Sequence, residues 1–145
     1  MISDDIKLEH SVLYGQDQIL TTRGLAASRL LFVISYIFWR LPGISESAYE
    51  FLPVDVIGGG FAALLVIAAI QAFYNKGIIV SWSLVLLPTF GASVNFVGVG
   101  LQSGDPLLKI GLILGLPMTI ALILGSTGFL VGRGIDYIVS SAGDS

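Results

Sequence analysis

The sequence predicts an all-α, polytopic membrane protein, a bundle of four transmembrane helices joined by short loops. Three observations carry this. Of 145 residues, 54% are hydrophobic and 12% charged, against about 25% charged in an average soluble domain. That leaves too few polar groups to coat a water-soluble globule. Three long apolar runs each reach the ~20 residues that a helix needs to cross a bilayer. Turn and capping residues fall between the runs. An ordinary soluble enzyme, a disordered tail and a nucleic-acid binder built on a basic face are excluded.

Residues 1–24 read as a polar tail. Ile6, Leu13 and Leu20, with Leu8, Val12 and Ile19, give a weak helical period interrupted by Gly15. It reads as a surface helix leading into the membrane. Asp4, Asp5, Glu9 and Asp17 outweigh Lys7 and Arg23, which argues against avid binding of nucleic acid or anionic lipid. The tail has no basic segment followed by an apolar one, so no cleaved signal peptide is expected.

The single membrane domain covers 25–139. Its first span, 25–41, is the shortest and contains Arg29 and Arg40. Both can snorkel to headgroups. From Leu30 to Trp39 only Ser35 and the Tyr36 hydroxyl are polar, and a surface helix would need a polar face. Pro42-Gly43 stops this span. The second span, 54–74, follows Pro53 and has one charge, Asp55, at its edge. Asn75-Lys76-Gly77 is a tight turn into the third span, 78–101, which has no charge. Asp105-Pro106 caps the fourth, 107–132, with Lys109 in its first turn. Residues 140–145 form a short tail.

Charge bias sets the expected orientation. Four spans put both termini on one side, with Lys7, Arg23, Arg29, Lys76 and Arg133. The other side holds Arg40, Lys109 and the acidic Glu46, Glu50 and Asp55. The positive-inside rule makes the first side cytoplasmic, or internal in a virion. Trp39, Tyr49 and Phe51 then form an outer aromatic belt; Phe73, Tyr74, Trp82 and Tyr137 form an inner one.

Few residues carry chemistry. Cysteine is absent and His10 is the one histidine, so thiolate metal sites and His clusters are excluded. No metal or cofactor is expected. The last three spans have no ionisable residue near their centres, where a coupled carrier usually places one. No nucleophile has a base partner, so no enzymatic activity is expected. Gly125-Ser126-Thr127-Gly128 lacks the ending of a phosphate loop and lies in an apolar helix. Asn95 is the one strongly polar mid-span residue, and an interhelical hydrogen bond is its expected role. Gln71 is expected at the interface. Pro88 and Pro117 favour kinks, and Arg133 with Asp136 forms a weak i,i+3 pair. Arg23, Arg29, Lys76 and Arg133 are the candidate contacts to lipid headgroups.

Small residues four apart are the richest signal. Gly58 and Ala62, Gly59 and Ala63, Gly111 and Gly115, and Gly128 and Gly132 each make a flat strip that lets backbones approach. Gly24 and Ser28 begin the first span in the same way. Packing within the bundle is the expected use, with one strip of the fourth span left for another subunit.

In size, span count and composition the chain resembles the small, matrix-like inner membrane protein of haloarchaeal pleomorphic viruses. Low lysine, mild acidity and no cysteine fit a halophilic source. The resemblance implies a four-span structural protein of a virion membrane and assigns no functional residues. The expected function is therefore structural: packing with itself or with another membrane protein in a lipid bilayer. The alternatives are a channel, holin-like pore or small transporter, with Asn95, Thr89, Ser93, Thr119 and Thr127 lining a path, and an accessory subunit of a larger membrane complex.

Overall fold

The computed structural model describes residues 12–41, 54–100 and 105–143, with side chains placed for 58–95 of the middle stretch. Among the described residues every regular element is helical. They are α1 (Gln18–Arg40), α2 (Val54–Asn75), α3 (Ile78–Gly100), α4 (Pro106–Ile120) and α5 (Ser126–Gly143). A π turn, Ala121–Gly125, joins α4 to α5, so that Pro106–Gly143 is one continuous helix of 38 residues.

The first helix begins seven residues before the apolar run that predicted it. The Asp17 carboxylate accepts hydrogen bonds from Ile19 N at 2.7 Å and Leu20 N at 3.3 Å. Two of the unsatisfied donors of a helix start are thereby met, with a negative charge at the positive end of the dipole. Thr21 and Thr22 sit within the first turns by donating their hydroxyls to Asp17 O and Gln18 O. Hydropathy marks where lipid-compatible residues start, whereas the cap marks where the backbone ladder starts. Arg29 consequently lies three turns into the helix rather than one.

The other boundaries follow local chemistry. Lys76 takes a left-handed φ of 61° and returns its N–H to Ala72 O at 3.0 Å, ending α2 and allowing α3 to start two residues later. Asp105 accepts from Leu107 N at 3.0 Å, with Pro106 in the first position. Pro117 lacks the N–H that Ile113 O would receive in a regular helix. Within one further turn the helix widens into the π turn. In α3, the Pro88 carbonyl takes a second donor from α1, Ser35 Oγ, at 2.7 Å.

Close approaches fix the topology. Gly24 meets Val80, and Gly91 meets Phe32 O and Tyr36 N, so α1 and α3 run in the same direction. Gly128 meets Leu65 and Ala68, and Gly132 meets Ala69, Ala72 and Phe73, so α2 and α5 run together, opposite to α3. The result is an up-down-up-down bundle with α3 against all the others. Ala68, Val85 and Ala121 form its apolar centre, flanked by Leu64, Leu86, Ile120 and Leu124.

The outward faces are apolar. Leu30, Val33, Ile34, Val66, Ile70, Leu108, Leu114, Leu122 and Leu130 are all exposed. Burial by lipid rather than water accounts for this inversion. Among the described residues three helices are long and apolar enough to cross a membrane, through Gly58–Asn75, Ile78–Asn95 and Pro106–Gly143. The first helix, α1, has the length but carries Gln18, Thr21, Thr22, Arg23 and Arg29 in its first half. At 1.5 Å per residue the last helix is about 57 Å long. That exceeds the ~30 Å of a typical hydrocarbon core.

The Pro42-Gly43 stop, Pro53, His10 and the acidic Glu46 and Glu50 lie outside the described residues.

Candidate functional site

The small-residue strips divide into two kinds. Gly128 and Gly132 are buried against α2: a Cβ at Gly128 would fall 2.8 Å from Ala68 Cβ and 3.1 Å from Leu65 O. Gly24 and Ser28 are likewise buried in the α1 seam. Among the described residues, Gly58, Gly59, Gly111 and Gly115 instead have nothing within 4 Å of a built Cβ. Ala62 and Ala63 beside them are exposed. One strip of the last helix is thus consumed inside the bundle while the other faces outward.

Two further glycines make close seams that four-residue spacing does not reveal. Gly91 accommodates the α1 backbone at Phe32 O, 2.9 Å from where a Cβ would stand. Gly125, inside the π turn, lies under Trp82, whose indole Nε1 donates to Ser126 Oγ at 3.0 Å. Trp82 thereby joins α3 to α5.

At one end of the bundle stands a polar clasp centred on Asn75, which is fully buried. Its Oδ1 accepts from Asp17 N at 3.0 Å, and its Nδ2 donates to Thr21 Oγ1 at 2.8 Å. Its backbone carbonyl accepts from Gln16 N at 2.9 Å. Gly15, at φ 98°, leaves no room for a side chain beside the amide, and Gly77 packs under the Tyr14 carbonyl. The clasp thus ties the chain before α1 to the α2–α3 turn. In the sequence Asn75 reads only as a turn residue, because its partners lie more than 50 positions away. The signal available was the pair of turn glycines, Gly15 and Gly77, flanking capping residues.

Next to the clasp, Asp136 accepts from Lys76 Nζ at 2.8 Å and from Arg133 at 3.3 Å. The i,i+3 pair is present, and Lys76 from the turn completes it. All three side chains keep a quarter or more of their surface in solvent, so the network contributes about 1 kcal/mol or less. Of the four expected headgroup contacts, Lys76 and Arg133 are therefore engaged within the protein. Arg23 and Arg29 are exposed and form no ion pair among the described residues.

Asn95 is buried, and its Nδ2 donates to Tyr36 O at 3.3 Å and Gly91 O at 3.0 Å. The amide therefore joins α3 to α1. The other hydroxyls proposed for a polar path do not converge. Thr89 and Ser93 are buried on α3, whereas Thr119 and Thr127 are exposed and bond to Gly115 O and Ile123 O of their own helix. Asn95→Leu is expected to cost about 1 kcal/mol, the size of a membrane interhelical hydrogen bond. Thermal unfolding in detergent reads this directly.

Gln71, expected at the interface, lies one turn above Asn75. Its Nε2 is buried beside Gly24 and has no hydrogen-bond partner among the described residues. Arg40 is exposed at the opposite end, and Glu46, Glu50 and Asp55, which the charge pattern places on the same side, are not among the described side chains. Among the described residues no three His, Cys, Asp or Glu stand close enough to hold a metal ion. What the arrangement offers is surface: two open small-residue strips, apolar outer faces and one polar end.

Comparison with protein-family models, curated proteins and solved structures gives no match.

Proposed function

We propose that this protein is a non-enzymatic, integral membrane structural protein that assembles with copies of itself or with another membrane protein. Its four helices span the bilayer, with both termini on the cytoplasmic side. The observation that carries the reading is the division of the glycines. Internal seams already use Gly24, Gly91, Gly125, Gly128 and Gly132, while Gly58, Gly59, Gly111 and Gly115 are exposed with nothing against them among the described residues. Glycine in an exposed helix interior costs about 1 kcal/mol relative to alanine. Close approach of another helix backbone offsets that cost.

Orientation rests on charge. Lys76, Arg133 and the start of α1 share one end of the bundle, and basic residues favour the cytoplasmic side. The resemblance to the matrix-like membrane protein of haloarchaeal pleomorphic viruses extends the same role to a virion membrane in a halophilic source.

Replacing both open glycines of α4, as Gly111→Leu with Gly115→Leu, is expected to lower the assembly to a smaller species with helicity retained. Sedimentation in matched detergent and circular dichroism read the two quantities. An unchanged assembly mass for this variant and for Gly58→Leu with Gly59→Leu would sink the self-assembly reading. Liposomes bearing the protein are expected to stay tight to ions and small dyes. Saturable flux abolished by Asn95→Leu would favour a channel.

A further inference from the structure

We infer that Arg29, with Arg23 beside it, holds the headgroup of an anionic phospholipid on the outer face of α1. The inference rests on the reading of α1 as a membrane span. Its basis is where the exposed surface of that helix changes character.

Towards the C-terminus from Arg29, the exposed residues are Leu30, Val33, Ile34, Ile37 and Phe38. Towards the N-terminus they are Gln18, Ile19, Thr22, Arg23, Ala26 and Ala27. From Leu30 to Phe38 the exposed side chains are large and apolar, whereas the two turns before Arg29 expose only small or polar ones. A helical side chain leaves its Cα tilted towards the N-terminus of its own helix. For Arg29 that is towards the end of the bundle that carries the Asn75 clasp. Ala26 and Thr22, three and seven residues back on the same face, are too small to block the guanidinium. Its stem can lie along them while its charge leaves the hydrocarbon.

The depth agrees with neighbouring elements. Gly24 meets Val80 and Gln71, and Arg29 stands five residues above it, a rise of about 7.5 Å. An extended arginine stem covers part of that rise, which carries its guanidinium towards the level of Gln71. Near that level Trp82 hydrogen-bonds Ser126, and tryptophan is enriched where hydrocarbon gives way to headgroups.

The charge on this face selects an anion. Arg23, Arg29 and Arg40 are the charged residues of α1, and none of the helix's own residues is acidic. The nearest described carboxylates are occupied: Asp17 caps the helix, and Asp136 holds Lys76 and Arg133. A guanidinium binds a phosphate through paired N–H donors. The lipid supplies the counter-charge that no described carboxylate gives Arg23 or Arg29.

The test is lipid retention in nanodiscs of phosphatidylcholine with a minor share of phosphatidylglycerol, read by native mass spectrometry after release. Wild-type protein is expected to retain phosphatidylglycerol in preference to phosphatidylcholine. Arg29→Ala and Arg23→Ala should each lower that preference by about fivefold, the effect of one basic residue at a charged surface. Arg29→Lys should keep part of it. Lys76→Gln, which removes the same charge from a residue paired within the protein, should leave it unchanged. Equal retention by wild type and Arg29→Ala would overturn the inference, as would an equal loss in Lys76→Gln. A change of assembly mass in Arg29→Ala with lipid retention intact would assign Arg29 to a protein partner instead. Mass and retention are read from the same spectra, so the lipid site can fail while the assembly stands, or the reverse.

Discussion

Gly132→Ala should destabilise the bundle by about 1–3 kcal/mol, and Gly132→Leu should prevent it from folding. A Cβ at Gly132 would press into the Ala69 carbonyl oxygen, with Ala72 Cβ at 2.8 Å and Phe73 N at 2.9 Å. Two of those three atoms belong to the α2 backbone and cannot rotate aside. The helices must separate, and every contact along the α2–α5 seam loosens with them. A leucine adds three more carbons to the same clash. Against a total stability of about 5–15 kcal/mol, that loss is large. Gly115→Ala makes the comparison sharp. Among the described residues no other element stands near it, and alanine is favoured over glycine in a helix by about 1 kcal/mol, so its sign should be neutral or stabilising. Unfolding of the two alanine variants under identical detergent conditions measures the difference. Equal effects would mean that the α2–α5 seam is not closely packed.

Asn75→Ala should cost about 3 kcal/mol and release the start of α1. The substitution removes the acceptor of Asp17 N and a donor to Thr21. Each buried group left without a partner costs about 1–3 kcal/mol. The residue is fully buried, so water cannot readily replace the lost amide. Gly15, in a left-handed conformation, and Gly77 are shaped around that amide, and the turn has no other side chain to fill the space. Hydrogen exchange locates the effect. Amides of residues 16–22 should lose protection while those of α3 keep theirs. Unchanged protection across 16–22 would show that the clasp does not hold the chain before α1.

The helical class and the three long apolar helices were legible because lipid imposes a simple rule. A spanning segment must satisfy its backbone internally and carry about 20 apolar residues. Starts and ends were legible where a residue acts locally, as Asp105 and Pro106 do at α4. The start of α1 was not, since Gln18–Gly24 is polar and its capping residue, Asp17, precedes the apolar run by eight positions. The strips were legible as small-residue spacing, but spacing does not tell an inward face from an outward one. Gly111 and Gly115 read like Gly128 and Gly132, yet only the second pair meets another helix. The π turn after Pro117 rotates the downstream helix relative to the upstream one, so faces cannot be carried across it by counting. The Asn75 clasp was hidden for a different reason. It is made by long-range hydrogen bonds to a segment with few apolar residues, which hydropathy does not register.

In the proposed assembly, some small-residue strips hold the chain together while others join it to a second molecule. The chain has no cysteine, so a single cysteine can be placed at will. Oxidative cross-linking in native membranes, with one cysteine at Gly115 in one variant and at Gly128 in another, tests the claim most directly. Covalent dimers through position 115 and none through position 128 are the expected result. Dimers through 128, or none at 115 or at a matching Gly59 position, would contradict it.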